Sequence, residues 1–113
     1  MEQKPERIDS SPIAKFKFST DLPEIGRPIT FDGSSSSDFE GFITEYRWVF
    51  EFEDSQFGKS IEHIFTKTGG QSVSLIVTND EGFSDTTSQN LFLSLAILAE
   101  YPLSINSPSG LSL

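Results

Sequence analysis

One run of residues limits the possible folds more than any other. It reads Ile43-Thr44-Glu45-Tyr46-Arg47-Trp48-Val49-Phe50-Glu51-Phe52 and holds the only tryptophan of the chain. Tyr46, Trp48, Phe50 and Phe52 share one side of a two-residue repeat, and Glu45, Arg47 and Glu51 share the other, with Val49 as the exception. A period of two belongs to a strand with one buried face. Four aromatic side chains on one face need a thick core. A single sheet cannot supply it, so a second sheet must close over the first.

The same alternation recurs along the chain. Ala14, Phe16 and Phe18 share a face opposite Lys15 and Lys17, and Ile29 and Phe31 alternate with Thr30 and Asp32. Ile61, His63 and Phe65 form a short strand, and Val73, Leu75 and Val77 point inward on a longer one, with Ile76 out of phase. A last strand spans 86–95, with Leu91, Leu93 and Leu95 on one face. Turn signals separate these runs: Thr20 to Gly26, Gly33 with the serines 34–37 and on through Asp38 to Gly41, Glu53 to Gly58, Gly69-Gly70, and Asn79-Asp80-Glu81-Gly82. No stretch carries a clean helical period. The pattern predicts an all-β sandwich of about seven antiparallel strands in two sheets. Residues 1–11 read as a flexible lead-in, 12–95 as the sandwich and 96–113 as a tail or linker.

Composition narrows the function classes. The chain has 113 residues, enough for one domain, and its 11 phenylalanines concentrate apolar area in few side chains. A formal charge of -9 disfavours binding to nucleic-acid phosphates or anionic membranes. The lack of cysteine excludes disulfides, thiolate metal sites and a thiol nucleophile. Met1 to Arg7 lacks the apolar stretch of a signal peptide. The apolar run from Leu91 to Leu103 is broken by Ser94, Glu100 and Pro102, short of the ~20 residues a membrane span needs. Export would make this chain an excised module or a mature form.

The order of motifs resembles the PKD domain, an immunoglobulin-like β-sandwich family, from about Pro12 to Leu93. Pro12-Ile13-Ala14 stands for the opening Pro-x-Ala, and Gly26 to Phe31 for Gly-x-Pro-x-x-Phe. An acid- and serine-rich loop follows, Ser37-Asp38-Phe39-Glu40-Gly41-Phe42-Ile43, then Tyr46-x-Trp48-x-Phe50. His63-Ile64-Phe65, Gly69, Val73 to Asn79 and Gly82 complete the series. Two positions depart from it. Val49 and Glu51 replace an acid and a glycine in the family's Asp-Phe-Gly-Asp-Gly, so that turn must be built differently. Gln71 stands where the family has a tyrosine, and it can replace that residue's hydrogen bond but not its ring packing. The resemblance implies a non-catalytic interaction or spacer module, monomeric, in a larger extracellular or cell-surface protein, contacting protein or glycan.

The acidic loop is the best site candidate. Asp32, Asp38, Glu40, Glu45, Glu51, Glu53 and Asp54 fall together with Arg47 as the only base among them. Calcium takes six to eight oxygen ligands. Asp38 and Glu40, two apart in a loop, can turn to one point, with Ser37 and Ser36 adding oxygens; the resemblance implies the same, since some PKD domains bind calcium near this loop. That makes a calcium-stabilised module, helping an attached hydrolase engage polysaccharide or fibrous protein, the alternative function. His63 is the only histidine and lies on an inward face, as a structural residue would. The aromatic strand could stack on sugars, but its rings face inward. Phe39, Phe42 and Phe57 fall in loops and are expected to cap the ends of the sandwich; exposed together, they would instead mark a partner surface. No nucleophile elbow and no phosphate-cradling loop occurs, so no catalytic residue is assigned.

Overall fold

A computed structural model describes residues 11–51, 53 and 55–95. It has seven strands: β1 (Lys17–Phe18), β2 (Pro28–Asp32), β3 (Ile43–Phe50), β4 (Gln56–Phe57), β5 (Ser60–Ile64), β6 (Gly69–Asn79) and β7 (Ser84–Leu93). They form two antiparallel sheets, one ordered β1-β2-β5 and the other β4-β3-β6-β7. This is the seven-stranded sandwich that the alternation predicts.

The aromatic side chains meet between the layers. Phe31 on β2 lies 5.8 Å from Trp48 and 5.5 Å from Phe50, both on the facing sheet. Phe16 stands edge-on to the indole at 5.2 Å. Tilted and edge-on pairs of this kind add to the stabilisation from area alone. Val73, Leu75, Val77 and Leu93 close the core from β6 and β7. The indole N–H donates to the Gly58 carbonyl at 2.7 Å. Gly58 has φ 145°, which side chains with a Cβ rarely adopt. Its own N–H donates to the Tyr46 carbonyl at 3.0 Å. Two bonds thus pin the β4–β5 link to the aromatic strand.

That pin explains one correction. Residues 53–58 read as a loop, yet Gln56 and Phe57 pair with Trp48 and Arg47 as β4. A second correction concerns Gly69-Gly70, which opens β6 opposite Leu93 and Phe92 instead of turning the chain. A third is Leu95, 66% exposed where an inward position was expected. β7 ends at Leu93, and Ser94 pairs instead with the segment at Pro23 to Ile25 (3.1 and 3.0 Å), so the alternation breaks there. Ala14 and Phe16 are buried as predicted, but regular pairing of the first strand is confined to Lys17–Phe18. Gln71 donates to the Lys67 carbonyl at 3.3 Å, so the amide does take over a tie at its corner. Phe52, the lead-in up to residue 10 and the tail from 96 lie outside the described residues.

The chain comes in at one end of the sandwich and leaves at the other. Ala14 donates to the Asp85 carboxylate at 2.8 Å, near the start of β7. Gln89 donates to the Phe16 carbonyl at 2.8 Å further along, and Ser94 lies beside Pro23 at the far end.

Trp48→Ala removes the central ring and leaves the Gly58 carbonyl without its donor. Urea unfolding should show a loss of about 3–5 kcal/mol, the cost of a large-to-small change in a packed core.

Candidate functional site

The end of the sandwich where the chain comes in is organised by Asn79, a buried residue. Its Oδ1 accepts from the Glu81 and Phe83 N–H groups at 3.0 and 2.9 Å, shaping the β6–β7 turn. Its Nδ2 donates to Asp38 Oδ1 at 3.1 Å and so joins that turn to the acidic loop. Asp80, the next residue, holds the same loop with two bonds. Its N–H donates to the Phe42 carbonyl at 3.0 Å, and its Oδ1 accepts the Phe42 N–H at 3.2 Å.

Between these two contacts sits Gly41. A Cβ there would lie 2.8 Å from Asp38 Oδ2 and would collide with Asp80 Oδ1. Two carboxylates therefore converge over a bare Cα, and glycine is the residue that leaves them room. Carboxylate oxygens are hard donors that suit calcium or magnesium. The fold thus brings Asp80 to the predicted Asp38. Ser37 uses its backbone N–H and carbonyl to pair with Ile13 (2.9 and 2.7 Å), and the Ser36 hydroxyl bonds the Lys15 backbone. Glu40 is exposed in the same loop. Among the described residues, no group of three His, Cys, Asp or Glu side chains is placed to hold a metal ion. Asp80 escapes a reading by sequence because it stands 42 positions after Asp38 and its tetrapeptide reads as a hairpin turn. The available signal is the asparagine before it, whose short amide can bond its own turn and a neighbour together.

The expected capping by Phe39, Phe42 and Phe57 does not occur. All three are exposed, Phe39 at 93%. The Asn79 hydrogen bonds already close this end, so the rings have nothing to cover. Phe39 and Phe42 share it with the exposed Phe83, which joins Asn79 through a backbone bond of 2.9 Å. Phe57 is elsewhere, opposite Arg47 on β4. Trp48 lies in the core, which excludes it as a sugar platform.

His63 is 7% exposed. Its ring stacks on Phe50 at 3.9 Å and meets Phe65 edge-on at 4.5 Å. Gln56 Nε2 lies 2.9 Å from Nδ1. With that amide donating, the neutral ring carries its hydrogen on Nε2. Nε2 is 3.2 Å from Glu53 Oε1, near enough for charge attraction but not aligned as a hydrogen bond. Burial lowers the imidazole pKa below 6.5, and the Glu53 charge pulls weakly the other way. The half-buried Asp32 carboxyl is also lowered, first by the Ser34 N–H, which donates to it at 2.9 Å.

The model of the PKD domain matches residues 9–92. The chain belongs to the PKD domain family. Its likeness to known PKD structures agrees: it has a TM-score of 0.65 and 30% identity to the PKD1 domain of the Vibrio cholerae metalloprotease PrtV, covering 74% of this chain and 98% of that one. Carbohydrate-binding modules of the β-sandwich superfamily, described for promiscuous specificity, give a TM-score of 0.73 at 28% identity, covering 76% of this chain and 35% of theirs. Collagenase ColA of Clostridium perfringens is 35% identical over 84 residues, 74% of this chain. This chain spans only 8% of that collagenase.

The PKD histidine gives a pH dependence of known sign. The folded state resists protonation that the unfolded chain accepts near 6.5. The stability held by His63 is therefore complete above that pH and is lost as pH falls through the lowered folded value. Melting temperature should fall on acidification from pH 7 to about 5, and the part due to this group should vanish in His63→Gln.

Proposed function

We propose that this PKD domain is a non-catalytic accessory module of an extracellular multidomain protein, which spaces neighbouring domains and contacts protein or glycan. One observation carries the reading: the chain matches a whole PKD domain of one protease yet only 8% of a collagenase. That is the length of one module within a much larger relative. Collagen is an extracellular fibre, so a relative named for cutting it points to work outside the cell. Exposed rings at one end of the acidic body, among them Phe39, Phe42 and Phe83, are contact chemistry of the kind such a role needs. The 113-residue chain should be retained on insoluble collagen or on cellulose or chitin in a sedimentation assay. Recovery in the supernatant from all three would remove the contact role.

A second reading has its own observation. Asp38 and Asp80 converge over Gly41, and Ser37 and Glu40 belong to the same loop. In this reading calcium binds there, stiffens the loop and assists an attached hydrolase on polysaccharide or fibrous protein. The carboxylates would hold the ion, while backbone carbonyls, hydroxyls or water complete its shell. Millimolar calcium should raise the melting temperature relative to chelator, by about 4–8 °C for each kcal/mol of binding. Asp38→Asn and Asp80→Asn should each abolish the rise. An unchanged melting temperature in the parent chain would exclude it.

A further inference from the structure

We propose that the groove at the outer edge of β7 binds the end of a neutral sugar chain, with Phe92 as its stacking platform. This deepens the contact role proposed above and rests on it. The groove, of about 320 Å³, lies between the β1–β2 connection and the last residues of β7. Small-ligand sites run from roughly 300 to 1,000 Å³, so it has room for one or two sugar rings. Phe18 and Leu91 line it from the core side, while Thr20, Asp21, Asn90 and Phe92 give it its chemistry.

Phe92 is 72% exposed, although Leu91 and Leu93 on either side are buried. It pairs across the ladder with Gly70, where even a methyl group would meet nothing within 4 Å. No neighbouring side chain on β6 shades the ring. An open aromatic face suits the apolar C–H face of a pyranose. The polar lining suits its hydroxyls. The Asp21 carboxylate accepts hydrogen bonds, and the Asn90 amide both gives and accepts them. Thr20 Oγ1 already accepts the Leu22 N–H at 3.0 Å, which leaves its own hydrogen to donate.

Charge selects the class of sugar. Among the described residues no lysine or arginine lines the groove, and the whole chain carries -9. Phosphorylated, sulfated or uronic chains would be repelled. From the groove the outer face of β6 and β7 continues as Ser72, Ser74, Ser88 and Thr86, with no charged side chain. Ser74 and Ser88 share a hydrogen bond of 2.7 Å across the ladder. A neutral polymer leaving the groove would lie along hydroxyls that both give and accept hydrogen bonds.

The test is a ¹H–¹⁵N titration of the 113-residue chain with cellohexaose, chitohexaose and laminarihexaose. At least one should give saturable shifts at Thr20, Asp21, Asn90 and Phe92. Phe92→Ala should weaken that sugar roughly tenfold, the loss expected for one stacking contact of order 1.4 kcal/mol, without lowering the melting temperature. Failure of all three sugars to shift these amides overturns the site. Shifts confined to Phe39, Phe42 and Phe83 also overturn it, while leaving a glycan-contact module intact. Unweakened binding by Phe92→Ala does the same. If deleting residues 96–113 moves these amides with no sugar present, the groove belongs to the chain's own tail and the proposal fails.

Discussion

The structure depends on where one indole N–H goes. Trp48 is fully buried between the sheets, and a donor buried there without an acceptor would cost about 1–3 kcal/mol. The Gly58 carbonyl meets it. To do so the chain must come back past β3 directly after the aromatic strand, and it must turn at a residue without a Cβ. That return lays Gln56 and Phe57 beside Arg47 and Trp48 as β4. It also sets Gln56 within reach of His63, so the indole's partner and the histidine's partner come from one short segment. The rings of Phe16, Phe31, Phe50 and Phe65 then pack around a fixed centre.

Asn79 plays the corresponding part at the polar end. One side chain bonds its own turn twice and the acidic loop once. The loop at Asp38 and the turn at Asp80 are therefore placed by the same amide. The closeness of the two carboxylates follows from the turn geometry and from the missing side chain at Gly41. Hydrogen bonds to Asp38 and Asp80 from Asn79 and Phe42 offset part of their mutual repulsion.

Alternation made most of the fold legible. The inward positions of β2, β3 and β6 were readable because burial on one face imposes a period of two, and Ile29, Phe31, Trp48, Phe50, Val73, Leu75 and Val77 obey it. What escaped was governed by partners distant in sequence. β4 exists because of Gly58 and Trp48, not because Gln56 and Phe57 favour a strand. Leu95 looked like the third leucine of a buried stripe, yet Ser94 had already left the ladder for Pro23. Phe39, Phe42 and Phe57 showed the same weakness from the other direction. An apolar residue in a loop carries no signal of whether the core beneath it is already full. For the site, Asp38 was readable from its loop and Asp80 was not, since only the folded turn makes them neighbours.

The two outermost stretches of the sandwich run in the same direction. Ala14 and Phe16 meet the Asp85 and Gln89 side chains in the same order, and Glu24 meets Ser94 in a parallel bridge. Tension applied through the flanking chain would therefore act lengthwise along the ladders. The β6–β7 bonds would bear it side by side and have to yield as a group, whereas a hairpin pulled from its open end gives way one rung at a time. Geometry of this kind makes a short link resistant to stretching.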